Sequence, residues 1–128
     1  MGTIRTAPRP LSAEERALVN RLLDFALEPE AAAAYRDQLD ALRVVEHCDC
    51  GCPSVLFKVP RPLPGAQRTM VADVYGTTPE GFAVGLMLWA EAGQLEYLET
   101  WTLGDWPPYG LPAPETVTPE YPSTSPAS

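Results

Sequence analysis

The stretch from Phe82 to Ala90 is apolar on both of its alternating faces, with Phe82, Val84, Leu86 and Leu88 on one and Ala83, Met87 and Trp89 on the other. A strand of this kind belongs in the middle of a sheet, where both faces are covered. Glu91-Ala92-Gly93-Gln94 follows as a hairpin turn. Leu95 to Thr102 then predicts the return strand, with Leu95, Tyr97, Glu99 and Trp101 on one face. Any fold for this chain must therefore supply a sheet around this hairpin.

Three further strands are expected upstream. Val44 to about Cys48 is the first. Val55, Phe57 and Val59 mark the second, and Met70, Ala72 and Val74 the third, each alternating with its neighbours. The loop Pro60-Arg61-Pro62-Leu63-Pro64-Gly65 is rich in strand breakers.

The N-terminal third reads as helix. Ser12-Ala13-Glu14-Glu15 is a capping-box signature, and Leu18, Leu22 and Phe25 follow at helical spacing. Pro29 stops that helix, so its span is about 12–27. Pro29 also suits the first position of a second helix, about 30–41, whose stripe is Ala31, Tyr35, Leu39 and Leu42.

The predicted class is α+β: two N-terminal helices packed on one face of a roughly five-stranded, mainly antiparallel meander sheet, with a Pro-rich C-terminal tail. Residues 1–10 are expected to form a flexible arm, 11–110 a single domain, and 111–128 a disordered Pro/Ser/Thr-rich tail. With 128 residues, 45% of them hydrophobic, the chain can bury a core without staples. No apolar run is long enough to span a membrane, and the N-terminus has no secretory h-region. Gly2 and Thr6 fit a myristoylation pattern too short to separate from chance.

Charge is divided unevenly. All nine Lys and Arg residues precede residue 69, while Asp73, Glu80, Glu91, Glu96, Glu99, Asp105, Glu115 and Glu120 follow it, and the net charge is −8. Such a surface disfavours nucleic acid and favours a basic protein partner drawn in by electrostatic steering. The candidate binding residues are Glu91, Glu96, Glu99 and Asp105, around the last hairpin. Edge protection of the sheet is the bland alternative. Trp89 and Trp101 are expected to pack across strands, with ligand stacking as the alternative.

The only three cysteines stand in His47-Cys48-Asp49-Cys50-Gly51-Cys52-Pro53. Crowded together, they staple nothing distant, which points to a reducing, cytoplasmic setting. Cys48, Cys50, Cys52 and His47 could hold zinc, or a low-coordinate ion such as Cu(I). One-residue spacing is short for zinc, and only a sharp bend at Gly51 would gather the thiols. A strained Cys50–Cys52 disulfide is a second reading, and small buried thiols filling a tight hairpin a third. No phosphate loop, GxSxG or HExxH motif occurs, and no catalytic base stands in a recognisable setting.

The turn Cys48-Asp49-Cys50-Gly51-Cys52-Pro53-Ser54 and the segment Gly93-Gln94-Leu95-Glu96-Tyr97-Leu98-Glu99 together resemble an uncharacterised family of small acidic bacterial proteins with a C-x-C-G-C-P-[ST] turn and a G-x-L-x-x-L-E segment. The resemblance covers about residues 40–110 and implies no particular activity. By analogy of class, small acidic α+β proteins also look like immunity proteins of bacterial toxins. The expected function is a non-catalytic cytoplasmic binding module for a basic protein, with an inhibitory, immunity-like or regulatory role. The alternative is a metal-binding or thiol-redox protein using the cysteine turn.

Overall fold

The structure is a computed structural model and describes residues 3–49, 51–57, 68–102 and 107–121. Its strands are β1 (Thr3–Arg9), β2 (Val44–Cys48), β3 (Val55–Phe57), β4 (Arg68–Thr77), β5 (Ala83–Glu91) and β6 (Gln94–Trp101). The helices are α1 (Ala13–Leu23) and α2 (Ala32–Arg36), with short 3-10 turns at Pro29–Ala31 and Pro114–Thr116. The class is α+β, and the sheet has six antiparallel strands in the order β1-β2-β3-β6-β5-β4.

That order corrects the expected five-stranded meander. Residues 1–10 were expected as an arm, but Thr3–Arg9 forms a strand along β2. The apolar positions that announce a strand are missing there. What holds it is the free edge of β2 and the Arg9 guanidinium, which donates to both carboxylate oxygens of Glu15 at 2.8 and 2.9 Å. The sheet also departs from chain order at β3, which pairs with β6 rather than with β4.

α1 begins where its capping box places it. The Glu15 N–H donates to Ser12 Oγ, and the Glu15 carboxylate accepts from the Ser12 N–H. Leu18, Val19, Leu22 and Leu23 are buried against the sheet. The second helix is shorter than the expected 30–41. Pro29 opens a 3-10 turn, only Ala32–Arg36 is α-helical, and the bonds then tighten, Gln38 N–H to Tyr35 and Leu39 N–H to Arg36.

β5 lies between β6 and β4, away from the sheet edges, as its two-faced apolar pattern predicts. Val84, Leu86, Leu88 and Ala90 face the helices and are at most 1% exposed. The partner strand β6 departs from simple alternation. Trp89 pairs with Tyr97 but Ala90 pairs with Leu95, so Glu96 is the extra residue of a bulge. Leu95 therefore turns into the core with Leu98, whereas Tyr97, Glu99 and Trp101 face the other way. The expectation that Leu95 shares their face is corrected by that one residue.

Part of the expected disordered tail is built into the fold. Val117 joins the core, and Thr118 exchanges two backbone hydrogen bonds with Tyr75 at the free edge of β4. The rest of the expected tail, residues 122–128, lies outside the described residues, as do the loop 60–65 and Trp106. No helix is long and apolar enough to cross a membrane among the described residues.

Candidate functional site

The helices and the segment Leu111–Val117 cover one face of the sheet. The opposite face carries the alternate residues of each strand. Register puts Glu46, Leu56, Tyr97, Trp89 and Met70 in one row across β2, β3, β6, β5 and β4. Glu99, Met87 and Asp73 form the next row, and Trp101, Gly85 and Tyr75 the one beyond. The side chains of Leu56, Met87, Trp89, Tyr97 and Trp101 are only partly buried. An antiparallel sheet with helices on one side leaves such a face to solvent or to a partner.

Glu91 and Glu96 flank the β5–β6 turn, where Ala92 and Gly93 both take positive φ, 51° and 79°. Two such residues in succession give the hairpin turn whose twist matches its strands. The turn is clamped from the helical layer by Gln38, whose amide donates to the Gly93 carbonyl at 2.7 Å and accepts from the Leu95 N–H at 2.9 Å. Nothing in the sequence marks Gln38 for this task, because its partners lie far along the chain.

Of the four predicted carboxylates, Glu91, Glu96 and Glu99 lie on this hairpin, while Asp105 is outside the described residues. They do not stand as a bare anionic cluster. Arg68 pairs with Glu91 in the β4–β5 register, and its Nε donates to Glu96 at 2.8 Å. Its guanidinium carbon sits 4.7 Å from the ring centre of Trp89 and 5.7 Å from that of Tyr97. The Trp89 indole N–H donates to Glu99 at 3.0 Å. Although no Lys or Arg follows residue 68, the patch is not without a counter-ion: among the described residues Arg68, the last basic residue of the chain, reaches it across the sheet. A hydrogen bond with Glu96, then burial and the Glu96 charge, raise the Glu91 carboxyl above its usual range, while Arg68 pulls it down.

Trp89 is opposite Tyr97 in the register, and the Trp101 ring, opposite Gly85, meets Tyr75 of β4 edge-on, which is the cross-strand aromatic packing expected of Trp101. The Tyr97 phenol ties the hairpin to the cysteine turn. Burial and then the charge of Glu99 raise its pKa, a hydrogen bond with Ser54 works against them, and the neighbouring Cys52 and Cys48 add smaller increases. Cys48 donates its N–H to the Ser54 carbonyl, and the Cys52 thiol lies 3.4 Å from Ser54 Oγ. Ser54 is buried and its Oγ accepts from the Thr100 N–H at 2.9 Å. Gly51 bends the turn at φ +91°, and a Cβ there would stand 2.9 Å from Pro108.

Cys50 is outside the described residues. His47 pairs with Ile4 on one side and Val55 on the other. Among the described residues no group of three or more His, Cys, Asp or Glu side chains is placed to hold a metal ion. A cleft of about 580 Å³ opens elsewhere, between α1 and the C-terminal segment, lined by Ala13, Ala17, Pro79, Leu111 and Pro112 together with Glu14 and Glu115. Its Thr116 hydroxyl is engaged by Ala113 and Thr77. No family model, curated protein or solved structure matches the chain.

Proposed function

We propose that this chain is a non-catalytic cytoplasmic binding module whose open sheet face engages a basic protein partner, in an inhibitory, immunity-like or regulatory role. The observation that carries the reading is the composition of that face. Trp89, Tyr97, Met87 and Leu56 supply a partly buried apolar centre, and Glu46, Asp73, Glu91, Glu96 and Glu99 surround it, outnumbering the cations Arg5, opposite Glu46 in the register, and Arg68, over Trp89. Aromatic anchors within a charged rim are the usual make-up of a protein interface, and the rim charges here would speed encounter with a cationic surface.

A photo-reactive side chain in place of Met87 is expected to crosslink to a protein of net positive charge in cells that make this chain. The same group in place of Ala17, on the helical side, should not. The triple change Glu91→Gln, Glu96→Gln and Glu99→Gln is expected to reduce capture at low salt by about tenfold or more. Equal capture from both positions, or capture indifferent to both salt and the triple change, would overturn the reading.

A metal or thiol role for Cys48, Cys50 and Cys52 is the second reading, supported by the left-handed bend at Gly51 that gathering the thiols requires. Native mass spectrometry separates the two. One ion per chain, lost on Cys50→Ser, is the outcome expected if the turn is a metal site; an unchanged metal-free mass argues for thiols that only pack.

A further inference from the structure

The open face contains a place already shaped for a cation, and the chain's own Arg68 sits in it. The guanidinium lies over the Trp89 and Tyr97 rings and is held by the Glu96 carboxylate, with Glu91 opposite it in the register. Two π-faces beside a carboxylate are the groups that recognise a guanidinium, which is planar, weakly hydrated and suited to stacking. Arg68 itself is loosely held. Its side chain is 46% exposed and it is the first residue of β4, so its end of the ion pair with the partly buried Glu96 and its ring contacts are open to water, which weakens both kinds of interaction.

We propose that Arg68 is a placeholder, and that an arginine side chain of the basic partner displaces it to stack on Trp89 and Tyr97 and pair with Glu96. This rests on the binding-module reading and names the chemistry of its central contact. The charge balance of the hairpin favours the exchange. With Arg68 in place, one cation serves Glu91 and Glu96 together, and a hydrogen bond with Glu96, then burial and the Glu96 charge, still raise the Glu91 carboxyl. An incoming arginine, with Arg68 free to turn toward Glu91, would give each carboxylate its own cation.

An occupied site binds more weakly by the fraction of time it is free, so vacating it should tighten binding. The probe is a blocked tri-arginine peptide, compared with its tri-citrulline counterpart, and the readout is isothermal titration calorimetry, which every variant can report. Arg68→Ala is expected to bind tri-arginine about tenfold more tightly than the natural chain, and tri-citrulline not at all. Adding Trp89→Ala should abolish the gain. Adding Glu96→Gln, which leaves the rings untouched, should reduce it several-fold and serves if the tryptophan variant folds poorly. Arg16→Ala, which removes a positive charge on the helical side, should give no gain.

Equal affinity of Arg68→Ala and the natural chain overturns the proposal. So does a gain that survives both Trp89→Ala and Glu96→Gln, or one reproduced by Arg16→Ala, since each would reduce the effect to net charge. Crosslinking of a basic protein at Met87 without any Arg68→Ala gain would remove the placeholder and leave the binding module standing. A gain with no partner on that face would leave a site for arginine but overturn both the exchange with a partner and the binding module.

Discussion

Replacing Gly85 with alanine is expected to cost about 3 kcal/mol or more of folding stability. Gly85 is opposite Trp101 in the β5–β6 register, and a Cβ at this position would fall inside the Trp101 indole. The indole fills the hole left by the missing side chain, the way an aromatic residue covers a glycine in a designed sheet. It also meets Tyr75 edge-on at 6.1 Å, and Tyr75 meets Tyr121 at 5.3 Å, so moving it disturbs the anchoring of the C-terminal segment. The Trp101 Nε1 is buried without a hydrogen-bond partner among the described residues, so ring packing rather than a polar tether fixes the side chain. Chemical denaturation of Gly85→Ala, Trp101→Ala and the double variant checks the argument. The double variant should be about as stable as Trp101→Ala alone, a coupling equal to the cost of Gly85→Ala, about 3 kcal/mol or more. Additive losses would mean that the glycine is required for another reason.

The second large effect is expected at Glu15. Glu15→Ala should destabilise the fold by about 2–3 kcal/mol, and Glu15→Gln by about half as much. The carboxylate is nearly buried, accepts both guanidinium nitrogens of Arg9, and closes the capping box of α1. Alanine removes all three bonds. Glutamine keeps an oxygen for the Ser12 N–H and loses the charge. Burial alone would raise this carboxyl, but the hydrogen bonds from Arg9 and Ser12 and the Arg9 charge outweigh it and leave the pKa below the usual glutamate range.

A lowered folded pKa makes the carboxylate stabilising above its unfolded value, about 4.3, and that contribution is lost as pH falls through the folded pKa. Denaturation measured from pH 7 down to pH 3 should therefore show a loss of stability in the natural chain that is smaller in Glu15→Gln. The same contact tethers β1 to α1, so protection of β1 amides from hydrogen exchange should fall first in the variant.

How much of this was legible differs from element to element. The α1 capping box, the central placing of β5 and the positive-φ hairpin turn at Ala92-Gly93 all follow from residues within a few positions of one another. The candidate site was legible in part. Glu91, Glu96 and Glu99 were placed on one hairpin by sequence alone, but their environment was not. Arg68 belongs to the charge-balanced half of the chain, and only the β4–β5 register brings it to Glu96. β1 was missed because its pattern is polar and its stability comes from β2 and from Glu15.

The amino-acid sequence by itself determined where α1 begins, which strands alternate, where the hairpin turns and that positive charge ends at Arg68. These are properties of near neighbours, set by side-chain periodicity, capping and backbone sterics. Only the tertiary structure decided that β3 lies beside β6, that the bulge at Glu96 sends Leu95 inward, and that Gln38 holds the hairpin turn. Such pairings join residues tens of positions apart and are chosen by how the whole core packs. A single bulged residue reverses which side chains face it, and local periodicity carries no record of that choice.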